Sequence, residues 1–369
     1  MNRQRHNKII ISGGGTGGHI FPAISIANAL RNIEPGSDIL FVGAQGRMEM
    51  EKVPAEGYDI VGLPVAGFDR RMLLKNISVL VKLWRSMRMA KRILLDFKPD
   101  VVVGVGGYAS GPVLKQAGRL GIPLVIQEQN SYAGITNKLL SKKASVICVA
   151  YDGMEKYFPS EKIIKTGNPV RQNFDNLSDL KKEAVSYFRL SDKNPVILAL
   201  GGSLGAGSIN KSLSGNIQKM VDSDCQWIWQ TGRNYYEDVN ALVSVASAGN
   251  IKVHDFINRM DYAYAAADII VSRAGAGTIS ELCLVGKPVI LVPSPNVAED
   301  HQTKNALALM KGGAAILVPD DNAERIVLEA LTLVSDIEKR KTLSSNIVKL
   351  AERDADVRIA KEVLKLIKL

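Results

Sequence analysis

Cysteine, histidine and long apolar runs are all scarce in this chain. Its 369 residues include three cysteines and four histidines. Cys148, Cys225 and Cys283 lie far apart, with no CxxC pair and no histidine cluster beside them. That spacing argues against a disulfide framework or a zinc site and suits a reducing compartment. No apolar run approaches the roughly 20 residues of a membrane-spanning helix. The run Ile9-Ile10-Ile11 gives way to glycine and is too short for the apolar core of a signal peptide. Low-complexity tracts are missing as well. Acidic residues are the minority charge, 37 against 47 Lys and Arg, for a net +10. Such a surface suits phosphates, nucleic acid or an anionic membrane, and the placement of the charge decides among them.

The composition is otherwise that of a soluble globular protein, 46% apolar and 23% charged. At this length two domains are expected. Short β-branched runs alternate with helical patterns. Strands are expected at 8–12, 38–42, 101–105, 123–127 and 146–150, then at 196–200, 226–230, 251–254, 268–272, 289–292 and 315–318. Several are continuously apolar, which implies a parallel sheet covered on both faces. The expected fold is α/β, with two Rossmann-like parallel-sheet domains facing a cleft. Gly167-Asn168-Pro169 punctuates the chain as a hinge. It divides residues 1–166 from 167–354. The closing stretch 355–369 reads as an amphipathic helix that either domain could hold.

Two glycine-rich loops open the two halves. Ser12-Gly13-Gly14-Gly15-Thr16-Gly17-Gly18-His19 follows the first strand, and Gly201-Gly202-Ser203-Leu204-Gly205-Ala206 follows Val196–Leu200. Each reads as strand, tight turn and helix N-terminus, a geometry that attracts phosphate. The first also satisfies G-x-G-x-x-G. A dinucleotide site needs a carboxylate at the tip of the second strand, where this chain has Phe41-Val42-Gly43-Ala44-Gln45. That absence argues against nicotinamide or flavin. His19 falls near the start of a helix running through Ala23 to Leu30, with Pro22 in its first turn. The positive helix end keeps an imidazole neutral, which suits a general base. A third cluster, Gly104-Val105-Gly106-Gly107-Tyr108-Ala109-Ser110-Gly111-Pro112, follows another buried strand. Four glycines in eight residues imply close approach of a bulky ligand.

Residues 70–98 interleave Lys and Arg with leucines and Trp84. Such a helix either lies on an anionic membrane or packs one face on the core. In the second half, Ser272-Arg273-Ala274-Gly275-Ala276-Gly277-Thr278-Ile279-Ser280-Glu281 repeats the strand–glycine–helix unit. Thr278, Ser280 and Glu281 are expected in the first helical turn, where a carboxylate can accept both hydroxyls of a ribose. Asp222/Asp224 and Asp354/Asp356 match D-x-D literally but lie away from strand ends, and are expected at the surface.

Six stretches in order resemble the MurG family of UDP-N-acetylglucosamine transferases. They are Gly14–His19, Gly106-Gly107-Tyr108, Glu128-Gln129-Asn130, Gly167–Arg171, Gly202–Ala206 and Arg273–Glu281. The resemblance runs from about residue 8 to residue 306. It implies a B-type glycosyltransferase fold and an inverting transfer of N-acetylglucosamine to the 4-hydroxyl of a lipid-linked muramoyl pentapeptide, without a metal cofactor. It places His19 near the acceptor, where its position near a helix start makes it the expected base. The donor side comprises Thr16, Gly17, Gly18, Asn130, Arg171, Ser203, Ile257, Ala276, Gly277, Thr278, Ile279, Ser280, Glu281 and Gln302. Ile257 would read the uracil, Glu281 the ribose, and Gln302 the sugar. His301 stands where the family often has a second glutamine. Gly106, Gly107 and Tyr108 fall on the acceptor side. The implied partners are UDP-N-acetylglucosamine, the lipid acceptor, an anionic membrane surface and other cell-wall synthesis proteins, with no nucleic acid. The implied location is peripheral, on the cytoplasmic face of the bacterial inner membrane. Alternatives of the same architecture are another glycolipid glycosyltransferase, a UDP-N-acetylglucosamine 2-epimerase and a non-catalytic sugar-nucleotide-binding subunit.

Overall fold

The computed structural model describes residues 6–15, 17–65, 76–170, 174, 176–202, 204–295, 297 and 300–367. The chain divides into two compact units, Met1–Arg171 with Arg353–Leu369, and Gln172–Glu352.

The first unit holds seven parallel strands: β1 (Lys8–Ser12), β2 (Asp38–Ala44), β3 (Asp59–Leu63), β4 (Val101–Gly104), β5 (Leu124–Glu128), β6 (Val146–Val149) and β7 (Ile163–Lys165). Their order is β3-β2-β1-β4-β5-β6-β7. β1 is fully enclosed, and its side chains alternate between two cores. Ile9 and Ile11 face the helix Gly17–Ile33 and the helix Ala355–Ile367. Ile10 faces Ala90, Leu94, Val113 and Leu114, on the helices Asn76–Phe97 and Ser110–Arg119. The sequence pattern missed β3 and β7. Both are sheet edges, short and only partly covered, so neither carries a continuous apolar run.

The second unit repeats the design with six parallel strands: β8 (Val196–Leu200), β9 (Gln226–Gln230), β10 (Ile251–His254), β11 (Ile269–Ser272), β12 (Val289–Leu291) and β13 (Ile316–Leu317). Their order is β10-β9-β8-β11-β12-β13. Each sheet thus reverses direction of growth beside its first strand, between β1 and β4 and between β8 and β11. Open α/β sheets bind ligands beyond the carboxyl ends of strands at such a switch point.

The helix Ala355–Ile367 buries Ile359, Ala360, Val363 and Leu364 in the core of the first unit, against the helix Gly17–Ile33. Cys148, Cys225 and Cys283 are buried and unpaired. Asp222 and Asp224 are exposed as expected, whereas Asp356 is buried, at 5% exposure. It sits on the inner face of the closing helix, and the surface expectation for it is corrected.

Candidate active site

At the first switch point, Ser12 of β1 pairs with Gly104 of β4. That register sets the Gly13–Gly15 turn beside the Val105–Gly107 turn. The two are packed too closely for side chains. A Cβ at Gly107 would lie 2.2 Å from the Gly14 carbonyl oxygen, and one at Gly13 would lie 2.2 Å from Val105 Cγ2. Gly106 and Gly107 also hold φ of 93° and 83°, a region that favours glycine. Tyr108 follows, 61% exposed.

The helix after the first loop begins at Gly17, earlier than the apolar pattern suggested, so Pro22 lies inside it rather than in its first turn. His19 is its third residue. The imidazole lies against Gly106, where a Cβ would come within 2.9 Å of Nε2. Removal from water lowers the His19 pKa to about 4, so the ring is neutral at physiological pH. The neutral ring expected from the helix dipole is thus present, with desolvation as the cause.

Asn130 sits at the end of β5, held by Glu128. Glu128 Oε1 accepts the Asn130 N–H at 3.1 Å, while Oε2 accepts Asn137 Nδ2 at 2.8 Å and the Gly134 N–H at 3.0 Å. Gln129 Nε2 donates to the Val105 carbonyl, and Asn168 Nδ2 donates to the Gln129 carbonyl. The Asn130 loop is therefore tied both to the glycine turn after β4 and to the segment that leaves the unit.

In the second unit, Leu200 of β8 is aligned with Ser272 of β11, bringing the Gly201–Gly205 loop beside Arg273–Gly275. Gly205 packs on the β9 exit, where a Cβ would meet the Thr231 carbonyl oxygen at 2.3 Å. The next helix starts at Gly207, leaving first-turn N–H groups without intrahelical acceptors. The helix carrying Ala276, Gly277, Thr278, Ile279, Ser280 and Glu281 spans Ala276–Val285. Ser280 and Glu281 are its fifth and sixth residues. The first-turn expectation holds for Thr278 and is corrected for these two, because Gly275 serves as the N-cap. Glu281 Oε2 accepts the Tyr264 hydroxyl at 3.2 Å, and Ser280 Oγ donates to the Ala276 carbonyl. Gln302 is the second residue of the helix His301–Lys311, and its Oε1 accepts the Ser294 N–H at 2.9 Å. The Ile257 N–H donates to Gln230 Oε1 at 3.0 Å.

Thr16, Arg171 and Ser203 lie outside the described residues. The structure brings His19 together with Gly106, and Gly17 and Gly18 open the His19 helix. On the donor side it gathers the β8 and β11 loops.

Three features escaped the sequence reading. Gln230 orients the Ile257 backbone. Arg273 donates to Asp320, to Ser208 Oγ at 2.9 Å and to the Val292 carbonyl at 3.1 Å, linking three loops at the carboxyl edge. Glu49 lies fully buried beneath the first glycine loop. Each partnership spans far in sequence, so no local pattern announces it.

An apolar groove of about 840 Å³ opens on the first unit. Val79, Leu83, Met87, Pro112, Ile135 and Leu139 line it, together with Lys115, Arg119, Lys143 and Tyr108. The helix Asn76–Phe97 buries Val79, Ser86, Ala90 and Leu94, and exposes Leu80, Val81 and Trp84 between basic residues. It therefore packs one face on the unit and presents another apolar face outward. Among the described residues no helix is long and apolar enough to cross a membrane.

Comparison with known proteins agrees with this layout. Residues 9–149 match the glycosyltransferase family 28 N-terminal domain, and residues 196–359 match the C-terminal domain of that family. The chain is 58% identical over 364 residues to the UDP-N-acetylglucosamine–N-acetylmuramyl-(pentapeptide) pyrophosphoryl-undecaprenol N-acetylglucosamine transferase of Parabacteroides distasonis, covering 98% of this chain and 99% of that one. Among solved structures it is similar to Acinetobacter baumannii MurG, with 28% identity, a TM-score of 0.74, and 97% and 99% of the two chains covered. A UDP-GlcNAc 2-epimerase from Neisseria meningitidis shares the fold at 18% identity and a TM-score of 0.68, with 97% and 100% covered. The two sheets, their glycine loops and both matched domains follow one another along a single chain, which belongs to glycosyltransferase family 28.

Proposed function

We propose that this chain transfers N-acetylglucosamine from UDP-N-acetylglucosamine to undecaprenyl-diphosphate-linked N-acetylmuramoyl pentapeptide, with inversion at the anomeric carbon. The acceptor 4-hydroxyl oxygen bonds to the anomeric carbon, the bond from that carbon to the diphosphate breaks, and UDP departs. The hydroxyl proton passes to His19. The observation that carries this is the desolvated, neutral imidazole at the switch point of the first sheet, packed on Gly106. A neutral ring can take a proton at physiological pH, as an inverting base must.

The second unit binds the donor in this proposal. Ser203 and the loop N–H groups hold the diphosphate, with Arg171, the last residue of the first segment of the first unit, and Thr16, Gly17 and Gly18 of the first loop contributing. These groups would stabilise the leaving charge without a metal. The helix end at Ala276, Gly277, Thr278 and Ile279, with Ser280, borders the nucleotide. Ile257 reads the uracil through its carbonyl, since its N–H is held by Gln230. Glu281 accepts the ribose hydroxyls. Asn130 and Gln302 bind the sugar. Gly106, Gly107 and Tyr108 border the acceptor.

The acceptor is a lipid, and the groove that Tyr108 helps to line is mainly apolar with Lys115, Arg119 and Lys143 among its lining residues, the chemistry of a polyprenyl diphosphate beside anionic headgroups. The enzyme accordingly works as a peripheral protein on the cytoplasmic face of the inner membrane, beside other cell-wall synthesis proteins.

The test is transfer of labelled N-acetylglucosamine to a lipid-linked muramoyl peptide, with and without chelator. Product in both assays is expected. Turnover of the sugar nucleotide without a lipid acceptor would instead indicate an epimerase.

A further inference from the structure

The glycine-rich turn after β1 encloses a carboxylate. Glu49 opens the short helix Glu49–Ala55 and is fully buried. Its Oε1 accepts the Gly15 N–H at 3.0 Å and the Ala44 N–H at 2.9 Å. Oε2 is buried with no hydrogen-bond partner among the described residues. Glycine makes the room. A Cβ at Gly14 would lie 2.0 Å from Oε1, and one at Gly43 would lie 2.7 Å from Cγ of Glu49. Two strand exits thus lack side chains where this one carboxylate sits.

A buried carboxyl group is costly unless its oxygens are well bonded. Two backbone bonds to one oxygen leave the other uncompensated, so a residue kept here for stability alone would more simply be apolar. The location is what distinguishes it. Gly15 lies four residues before His19. On its other side Gly14 is backed by Gly107, and His19 by Gly106. The turn is clamped between Glu49 below and the glycines after β4 above.

We propose that Glu49 is a positioning residue for the transfer reaction, fixing the Gly13–Gly15 turn and through it the approach of His19. This rests on the transfer and base assignments given above. A second consequence follows for anions. The Gly15 N–H already binds this internal carboxylate, and the Gly13 N–H donates to the Val42 carbonyl at 3.4 Å. Neither of these two N–H groups is directed to a phosphate, so neither is open to the donor diphosphate.

The test compares Glu49→Gln with Glu49→Asp in the full-length enzyme. Gln retains an acceptor oxygen at the same reach, whereas Asp places its carboxyl group one methylene short. Glu49→Gln is expected within about threefold of native kcat. Glu49→Asp is expected to lose roughly 10–100-fold in kcat, as an ångström of misplacement does, with donor KM and UDP affinity unchanged. Exchange of the Gly15 amide, followed in glycine-labelled protein, should remain slow with Gln and become fast with Asp. Native kcat in Glu49→Asp, equal losses in both variants, or a parallel loss of UDP binding would each overturn the proposal. The amide reports the Glu49 contact without turnover. Lack of transfer by the unaltered chain would therefore count against the proposed reaction separately.

Discussion

The His19 imidazole packs directly on Gly106, so closely that a single methyl at Gly106 would stand 2.8 Å from Cδ2 and 2.9 Å from Nε2. Gly106 is also at φ 93°, where an L side chain is strained. Gly106→Ala should therefore displace the imidazole. The expected result is a kcat loss of roughly 10²-fold for a misplaced base, with UDP affinity retained. Steady-state kinetics with calorimetric UDP binding checks both. Native kcat would mean that His19 does not act from this position.

The pH profile follows from the same burial. His19 has its pKa lowered from 6.5 to about 4, so the neutral base persists well into the acid range. The acid limb of kcat/KM should fall near pH 4 to 5 rather than at 6.5. His19→Ala should lower kcat by roughly 10²–10⁴-fold and spare UDP binding. Stability is linked with the same sign. The unfolded ring takes its proton near 6.5 and the folded ring only near 4, so this contribution is complete above about 6.5 and is lost as pH falls through that window. An acid limb near 6.5 would sink the assignment.

Glu281 tests the nucleotide side. Its carboxylate accepts the Tyr264 hydroxyl, which steers one oxygen. Glu281→Ala should raise donor KM by roughly 10–100-fold, the worth of a charge-assisted hydrogen bond, with a smaller change in kcat. Tyr264→Phe should have a weaker effect in the same direction. Titration with UDP and with uracil separates ribose recognition from base recognition. Unchanged UDP affinity in Glu281→Ala would remove it from the ribose.

Trp84 and Leu139, 59% and 77% exposed, mark the outward apolar face and the margin of the groove. Binding to vesicles containing anionic lipid should weaken with salt over the range where the screening length drops below about 10 Å. Trp84→Glu with Leu139→Glu should abolish sedimentation with such vesicles while leaving transfer to a water-soluble acceptor within about twofold, because surface changes away from the site are mild. Salt-independent binding would contradict an electrostatic membrane contact.

Much of this architecture was visible in sequence for identifiable reasons. β1 and β8 are continuously apolar because both faces of a parallel strand are covered, and the glycine clusters stand where chains approach too closely for a Cβ. The edge strands β3 and β7 were invisible because partial exposure relaxes their patterns. The start of the His19 helix was misplaced because Gly17 and Gly18 are poor helix formers by propensity, and their helical state is set by the sheet edge behind them. Glu281 shifted to the second turn because the cap is Gly275.

The sequence by itself determined two strand–glycine–helix units and the residue types that face the carboxyl edges, since burial period and backbone freedom are local properties. Tertiary structure alone decided which distant groups complete them. An amphipathic period shows that the helix Ala355–Ile367 has an apolar face, but only packing shows that this face covers the first unit's core. A lone glutamate opening a short helix is unremarkable in sequence. Folding places Glu49 beneath Gly15 because the register of β1 against β2 brings those two strand exits together. Its carboxyl group is held by backbone N–H groups that no side-chain pattern records.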